Sequence, residues 1–261
     1  MEIVVCIKQV PETAEVKIDS ETGTLVREGV PSEINPLDLH AIEEGIRIKE
    51  NFGGRVAVIS MGPPQAEEAI RDALAIGCDD GILLTDEAFA GADTLATSHT
   101  LARGIRKLSR FDLVICGMKT TDGDTAQVGP GLAYELGVPH VAYVSKIAEI
   151  AQSHIIVEKM IEEGVEYIQC PLPCLITVVK GINEPRLPSL KLKIMARKAQ
   201  IKTWGLKDLG GEVSNYGLEG SPTRVVEVFT PNPPQKGEMI EGTPNAQAEG
   251  LFKRLKELKI L

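Results

Sequence analysis

The sequence predicts an α/β fold: a doubly wound, mostly parallel sheet with an antiparallel meander and an extended C-terminal arm. Three observations predict it. Runs such as Ile3-Val-Val-Cys-Ile7 and Leu113-Val-Ile-Cys116 are continuously apolar and rich in β-branched residues, as strands buried on both faces are. Helical patterns alternate with these runs up to about residue 145, an order that implies right-handed βαβ crossovers. The 261 residues are 43% hydrophobic and 25% charged, the balance of a globular chain with a sizeable core.

In chain order, residues 3–7 form the first strand and Lys8-Gln-Val-Pro11 leaves its carboxyl end. Val16-Lys-Ile18 and Thr24-Leu-Val26 flank a glycine turn and read as a short hairpin. Ile34-Asn-Pro36 leads into a helix over 37–52, apolar at Leu37, Ala41, Ile42, Ile46 and Ile48, and Gly53-Gly54 ends it. Residues 55–60 are the second strand, and Met61-Gly-Pro-Pro64 opens a helix lasting to Gly77, with proline in its favoured first turn. Residues 81–84 are the third strand, and Asp93 caps a helix over 94–109. Residues 111–116 are the fourth strand, the next helix ends near Leu136, and 138–144 are the fifth strand. Beyond residue 145 the period changes to alternation over 146–150, 153–160 and 164–169, an antiparallel meander, before the apolar strand 174–179 and a basic helix over 190–200. From Gly205 a stretch of roughly forty residues lacks periodicity, which is unusual within a compact domain. An amphipathic pattern over 245–258 follows it. The expected organisation is a nucleotide-binding domain over 1–204 and an arm over 205–261 lying on a partner.

A net charge of −9 argues against nucleic acid or an anionic membrane as partner, so any anion must be held locally. No apolar run is long enough to span a bilayer, and the opening residues are too short and acidic for a signal peptide. A cytoplasmic chain is expected. The five cysteines, an odd number lying in apolar runs, read as buried free thiols, and Cys170-Pro-Leu-Pro-Cys174 has no second ligand pair to make a metal site.

The stretch Cys116-Gly-Met-Lys-Thr-Thr-Asp-Gly-Asp-Thr-Ala-Gln-Val-Gly-Pro130 leaves a buried strand and opens a helix. Taken locally it is either an ordinary capped turn or an anion site made by unpaired helix amides. Its position after the fourth strand places it with residues 6–11 at the switch point of the sheet, where such folds bind ligands. It is neither a P-loop nor a dinucleotide fingerprint, and it lacks the twelfth-position acid of a calcium loop. Nucleotide phosphate on the amides of residues 125–129 is the best fit. The four histidines fall in separate elements, and His40 and His99 read as surface or satisfied core residues. With no nucleophile or acid/base pair in view, a bound cofactor is expected to carry the chemistry.

Lys8-Gln-Val-Pro11, Glu33-Ile-Asn-Pro36 with Glu43-Glu44, Met61-Gly-Pro63, the loop described above, Val157-Glu-Lys-Met-Ile-Glu162 through Thr177, and Asn183-Glu-Pro-Arg186 together resemble the β subunit of electron-transfer flavoproteins. Glu163 and Met118-Lys119 depart from the family pattern. The resemblance implies an adenine-nucleotide-hydrolase-like fold and a heterodimer with an α subunit that carries FAD. Ordinary members hold a structural AMP; the electron-bifurcating group holds a second FAD there and takes a hydride from NADH. Asp122-Gly-Asp-Thr-Ala-Gln-Val-Gly-Pro130 and Gly91-Ala-Asp-Thr-Leu-Ala-Thr97 resemble the bifurcating group, with Gly123, Ala126 and Gly129 letting backbone approach a diphosphate.

Carried over residue by residue, the resemblance puts Cys6, Ile7 and Asn35 in an adenosine pocket flanked by Met61. Gly117, Asp122, Gly123, Asp124, Thr125, Ala126, Gln127, Val128, Gly129 and Pro130 surround the phosphates, and Asp93, Thr94 and Thr97 lie toward the flavin. Pro188, Ser189, Leu190, Ile194 and Met195, in a recognition loop over about 183–200, would meet a flavin dehydrogenase or reductase of acyl-CoA, enoyl-CoA or lactate type. Ferredoxin or flavodoxin would be the other electron acceptor.

Overall fold

The computed structural model describes residues 1–12, 31–226 and 237–261. The hairpin expected within 16–26 lies outside them. β1 (Glu2–Cys6) is followed by β2 (Gln9–Pro11) and β3 (Ser32–Ile34), which pair antiparallel, and by α1 (Pro36–Phe52). Next come β4 (Arg55–Met61), α2 (Glu67–Ile76), β5 (Asp80–Leu84), α3 (Thr94–Arg106), β6 (Leu113–Gly117) and α4 (Val128–Leu136). β7 (His140–Ile150), β8 (His154–Ile161), β9 (Gly164–Pro171), β10 (Cys174–Val178), α5 (Leu190–Lys198), β11 (Lys202–Trp204) and α6 (Leu206–Leu209) complete the first compact unit, Met1–Val226.

The doubly wound, mostly parallel sheet read from the sequence is what forms. Its nine strands run β11-β5-β4-β1-β6-β10-β7-β8-β9, parallel as far as β7 and antiparallel over β8 and β9. β1 pairs with β4 on one side and β6 on the other, so the chain reverses its direction of travel across the sheet between them. Ile3 and Val5 enter the core under α1 and α2, while Val4 and Cys6 enter the core under α3 and α4. Burial on both faces is why the strand reads as an unbroken apolar run. Helix ends follow the expected chemistry: Pro36 opens α1, Gly53 (φ 71°) and Gly77 (φ 141°) follow α1 and α2, and the Asp93 carboxylate accepts the Leu95 and Ala96 amides.

Several boundaries differ for local reasons. The two strands expected over 138–150 are one, β7, which pairs parallel with β10 through Val144 and antiparallel with β8 from Val144 onward. Tyr143, at φ 62°, inserts a bulge that lets both Val141 and Val144 face the core. The basic helix stops at Lys198 because Ala199 turns extended (φ −64°, ψ 138°), which delivers the chain to β11 at the sheet edge. The first unit extends past residue 204: Tyr216 is buried against Phe89 and His99, at 5.3 Å between ring centroids in each case, and its hydroxyl donates to the Gly210 carbonyl. The second unit spans Glu227–Leu261, and its described part holds α7 (Pro244–Glu257), with Thr243 as N-cap and no helix residue buried.

Candidate functional site

Cys6 and Cys116 are register partners at the carboxyl ends of β1 and β6. Both thiols are buried and free, and a hydrogen bond to Cys6 together with burial holds the Cys116 thiol well above its ordinary range. The side chains of Cys6 and Ile7 therefore belong to the core, and only their backbone reaches the end of the sheet. The Asp38 carboxylate spans the gap beyond them. It accepts the Lys8 amide at 2.8 Å and the Gly117 amide at 3.2 Å, tying both strand ends to the first turn of α1. Burial pushes its carboxyl up to about 7 against those two hydrogen bonds. A Cβ on Gly117 would overlap Asp38 Oδ1, so the glycine permits this junction.

The loop from Met118 to Gln127 is braced from below. Asn35, fully buried, donates to the Lys119 carbonyl at 3.0 Å and accepts the Thr121 amide at 3.1 Å. Both ends of its amide are thus committed to the loop. Asp124 (φ 52°) and Ala126 (φ 54°) occupy the left-handed region, and Asp124 N donates to the Thr120 carbonyl at 2.9 Å. Lys8 lies 2.6 Å from Asp122 and Lys119 lies 2.6 Å from Asp124. Burial raises the Asp122 carboxyl, but Lys8, the Thr120 hydroxyl and the Gly123 amide outweigh it and hold the group below the usual carboxylate range.

α4 begins without a side-chain cap: Gln127 offers none to the first-turn amides, and its Oε1 instead accepts from Thr94 Oγ1 at 3.0 Å. Ala126 in the left-handed region followed by Gln127 in the right-handed one (φ −98°, ψ −26°) turns successive amides the same way, the geometry of an anion-binding nest. Val128 and Pro130 are half-buried, whereas Gly123 and Thr125 are exposed. The Gly129 α-carbon faces β10, where a Cβ would overlap Thr177 Cγ2. Its glycine is explained by packing of α4 on the sheet, not by an approach to ligand. Ser98 Oγ donates to the Thr94 carbonyl at 2.7 Å and the Val128 carbonyl at 3.2 Å, joining the N-terminal turns of α3 and α4.

Asp93 and Thr97 lie at the start of α3, and Met61 sits half-buried at the end of β4. Asp93 is fully engaged: besides capping α3 it accepts the Thr223 amide at 3.0 Å and the Thr223 hydroxyl at 2.8 Å. His40 contacts the Asn183 carbonyl at 3.0 Å and His99 contacts Glu135 at 3.2 Å, far from any nucleophile pairing.

The electron transfer flavoprotein domain model matches residues 22–209. This chain belongs to the electron transfer flavoprotein family. It is 48% identical to the electron transfer flavoprotein subunit beta of Clostridium acetobutylicum, over 98% of each chain. It is 49% identical to the caffeyl-CoA reductase–Etf complex subunit CarD of Acetobacterium woodii over the full length of both, and 45% identical to protein FixA of Azorhizobium caulinodans over 99% of this chain and 96% of that one.

In this flavoprotein chain the residues expected to meet a partner enzyme lie on α5 and just before it. Ser189 caps α5 by accepting the Leu192 amide at 3.2 Å, and Pro188 precedes it half-buried. α5 packs on α2 through buried Ala196 and through Arg71, which donates to the Ala196 carbonyl at 2.7 Å. Leu190, Ile194 and Met195 remain exposed, Leu190 by 76%. Residues that the sequence reading passed over include Asp38, Ser98 and Thr177. Asp38 carried a signal: it precedes Ala41 and Ile42 by three and four positions, so it lies on the apolar face of its helix.

Proposed function

We propose that this chain is the β subunit of an electron-bifurcating flavoprotein that binds FAD in the crevice between the ends of β1 and β6. The observation that carries the reading is the uncapped start of α4, presented at the switch point by a loop whose last residues form an amide nest. These groups suit a diphosphate: the amides are oriented, the loop is solvent-facing, and Asn35 and Thr94 hold its two ends in place. When bound, FAD supplies hydride acceptance from NADH and one-electron delivery toward an α-subunit FAD and toward ferredoxin or flavodoxin. The chain's own part is to bind, orient and exclude. The amides of residues 125–129 hold phosphate, and Thr94 and Thr97 lie beside the ring system.

Two further surfaces fit this role. Leu190 and Ile194 on α5 form an apolar face for a flavin dehydrogenase or reductase, with basic residues around it. The described part of the C-terminal unit, whose helix buries nothing of its own, serves as an arm on the α subunit. No helix among the described residues is long and apolar enough to cross a membrane, in keeping with a cytoplasmic complex. The test is nucleotide content. The purified αβ complex should release two FAD, and its flavin should bleach with NADH under anaerobic conditions; one FAD and one AMP would replace this reading with that of a carrier holding a structural nucleotide.

A further inference from the structure

A phosphate site that contains two carboxylates works against itself, because each repels the anion it is meant to hold. The loop before α4 contains Asp122 and Asp124, and the structure gives each of them a cation. Lys8 reaches across from the end of β1 to Asp122 at 2.6 Å, and Lys119 reaches Asp124 at 2.6 Å from within the loop. The cluster of two acids and two lysines is therefore electrically balanced as it stands. We propose that Lys8 and Lys119 are phosphate-binding residues of the nucleotide site, and that Asp122 and Asp124 occupy them until the ligand's phosphates take their place. This inference rests on the nucleotide reading above and adds the residues that reading lacked.

The exchange is physically accessible. The Lys8 side chain is 45% exposed and that of Asp124 65%, so both pairs are solvated and weak. The backbone beneath them is held: Asn35 grips the Lys119 carbonyl and the Thr121 amide, and Asp38 grips the Lys8 amide. Side chains can swing while the amides that receive phosphate stay aimed. A diphosphate carrying two negative charges, bonded to two ammonium groups and to helix amides, outcompetes a single carboxylate for each lysine.

Calorimetric titration of the full chain with ADP, and in parallel with adenosine, tests this. Asn at both acids (Asp122→Asn with Asp124→Asn) should tighten ADP binding by about fivefold, the scale of an exposed ion pair, and Lys8→Met or Lys119→Met should weaken it by a similar factor. Adenosine affinity should not change in any of these variants, which separates phosphate recognition from general damage to the loop. ADP binding that the Asn variant weakens or leaves unchanged overturns the exchange while the nucleotide site stands. Absence of ADP binding by the wild-type chain removes the site itself, and the exchange with it.

Discussion

The Asp38 carboxylate accepts the Lys8 backbone amide at 2.8 Å, and this bond closes the end of β1 against the first turn of α1. Burial pushes the same carboxyl up to about 7 from 3.8. The folded chain thus keeps the proton to higher pH than the unfolded chain does. Its stabilising contribution is complete below about pH 4 and is lost as pH rises to about 7, a fall on the order of 2–4 kcal/mol. Asp38→Asn should remove this slope. It should also cost about 1–3 kcal/mol outright, since its NH₂ group cannot accept the amide left to it. Urea denaturation of both forms at pH 5 and pH 8 measures it; equal slopes in the two would rule out Asp38 as the source.

Gly129 tests whether a glycine in the phosphate loop serves ligand or packing. A Cβ there would overlap Thr177 Cγ2, so Gly129→Ala should destabilise the chain by about 1–3 kcal/mol. Thr177→Ser removes that methyl yet keeps the hydroxyl oxygen that accepts the Tyr143 amide at 3.2 Å. Combining the two should recover most of the loss, a coupling that thermal melts of the four forms would reveal. Loss of bound nucleotide at unchanged stability would instead return Gly129 to the ligand.

The strands and helices of the sheet were legible because burial on two faces writes itself into uninterrupted apolar runs, and because Asp93, Pro36 and Gly53 punctuate helices by local chemistry. What the sequence concealed was long-range. β10 lies between β6 and β7 in the sheet, yet it follows β7 by three strands in the chain. Only the complete sheet shows that Thr177 is the residue facing Gly129. The loop before α4 reads as a site from its place after a strand, but its braces come from elsewhere: Lys8 is 114 positions from Asp122 and Asn35 is 86 positions from Thr121. Spacing along a chain does not encode such pairings. β11 escaped notice because three residues, Lys202 to Trp204, are too few to show a period.

Arg186 binds Glu43 through Nε at 2.8 Å and Glu50 through Nη2 at 2.9 Å, fastening the turn before α5 to α1. Glu43 is buried, and Arg186 and Arg47 together overcome that burial and keep it ionised. Arg186→Ala should cost about 1–3 kcal/mol, less than the full penalty of an orphaned buried charge because Arg47 remains 2.7 Å away. Arg186→Lys should recover little, since an ammonium cannot serve two carboxylates in the guanidinium's planar geometry. Denaturation midpoints decide it, and full rescue by lysine would show that charge alone matters.

Leu190 is 76% exposed, and the helix it begins is fixed to α2 from behind by Arg71 and Ala196. Leu190→Ala should therefore leave stability within about 0.5 kcal/mol of wild type. Nucleotide content should also be unaltered, because α5 supplies none of the groups in the strand-end crevice. If α5 is the docking face, loss of one exposed apolar side chain from it weakens the encounter by about 1–2 kcal/mol, roughly a tenfold rise in the KM for a partner dehydrogenase. Stopped-flow transfer to that dehydrogenase reads the effect directly. Unchanged kinetics in Leu190→Ala and in Ile194→Ala would move the docking surface off this helix.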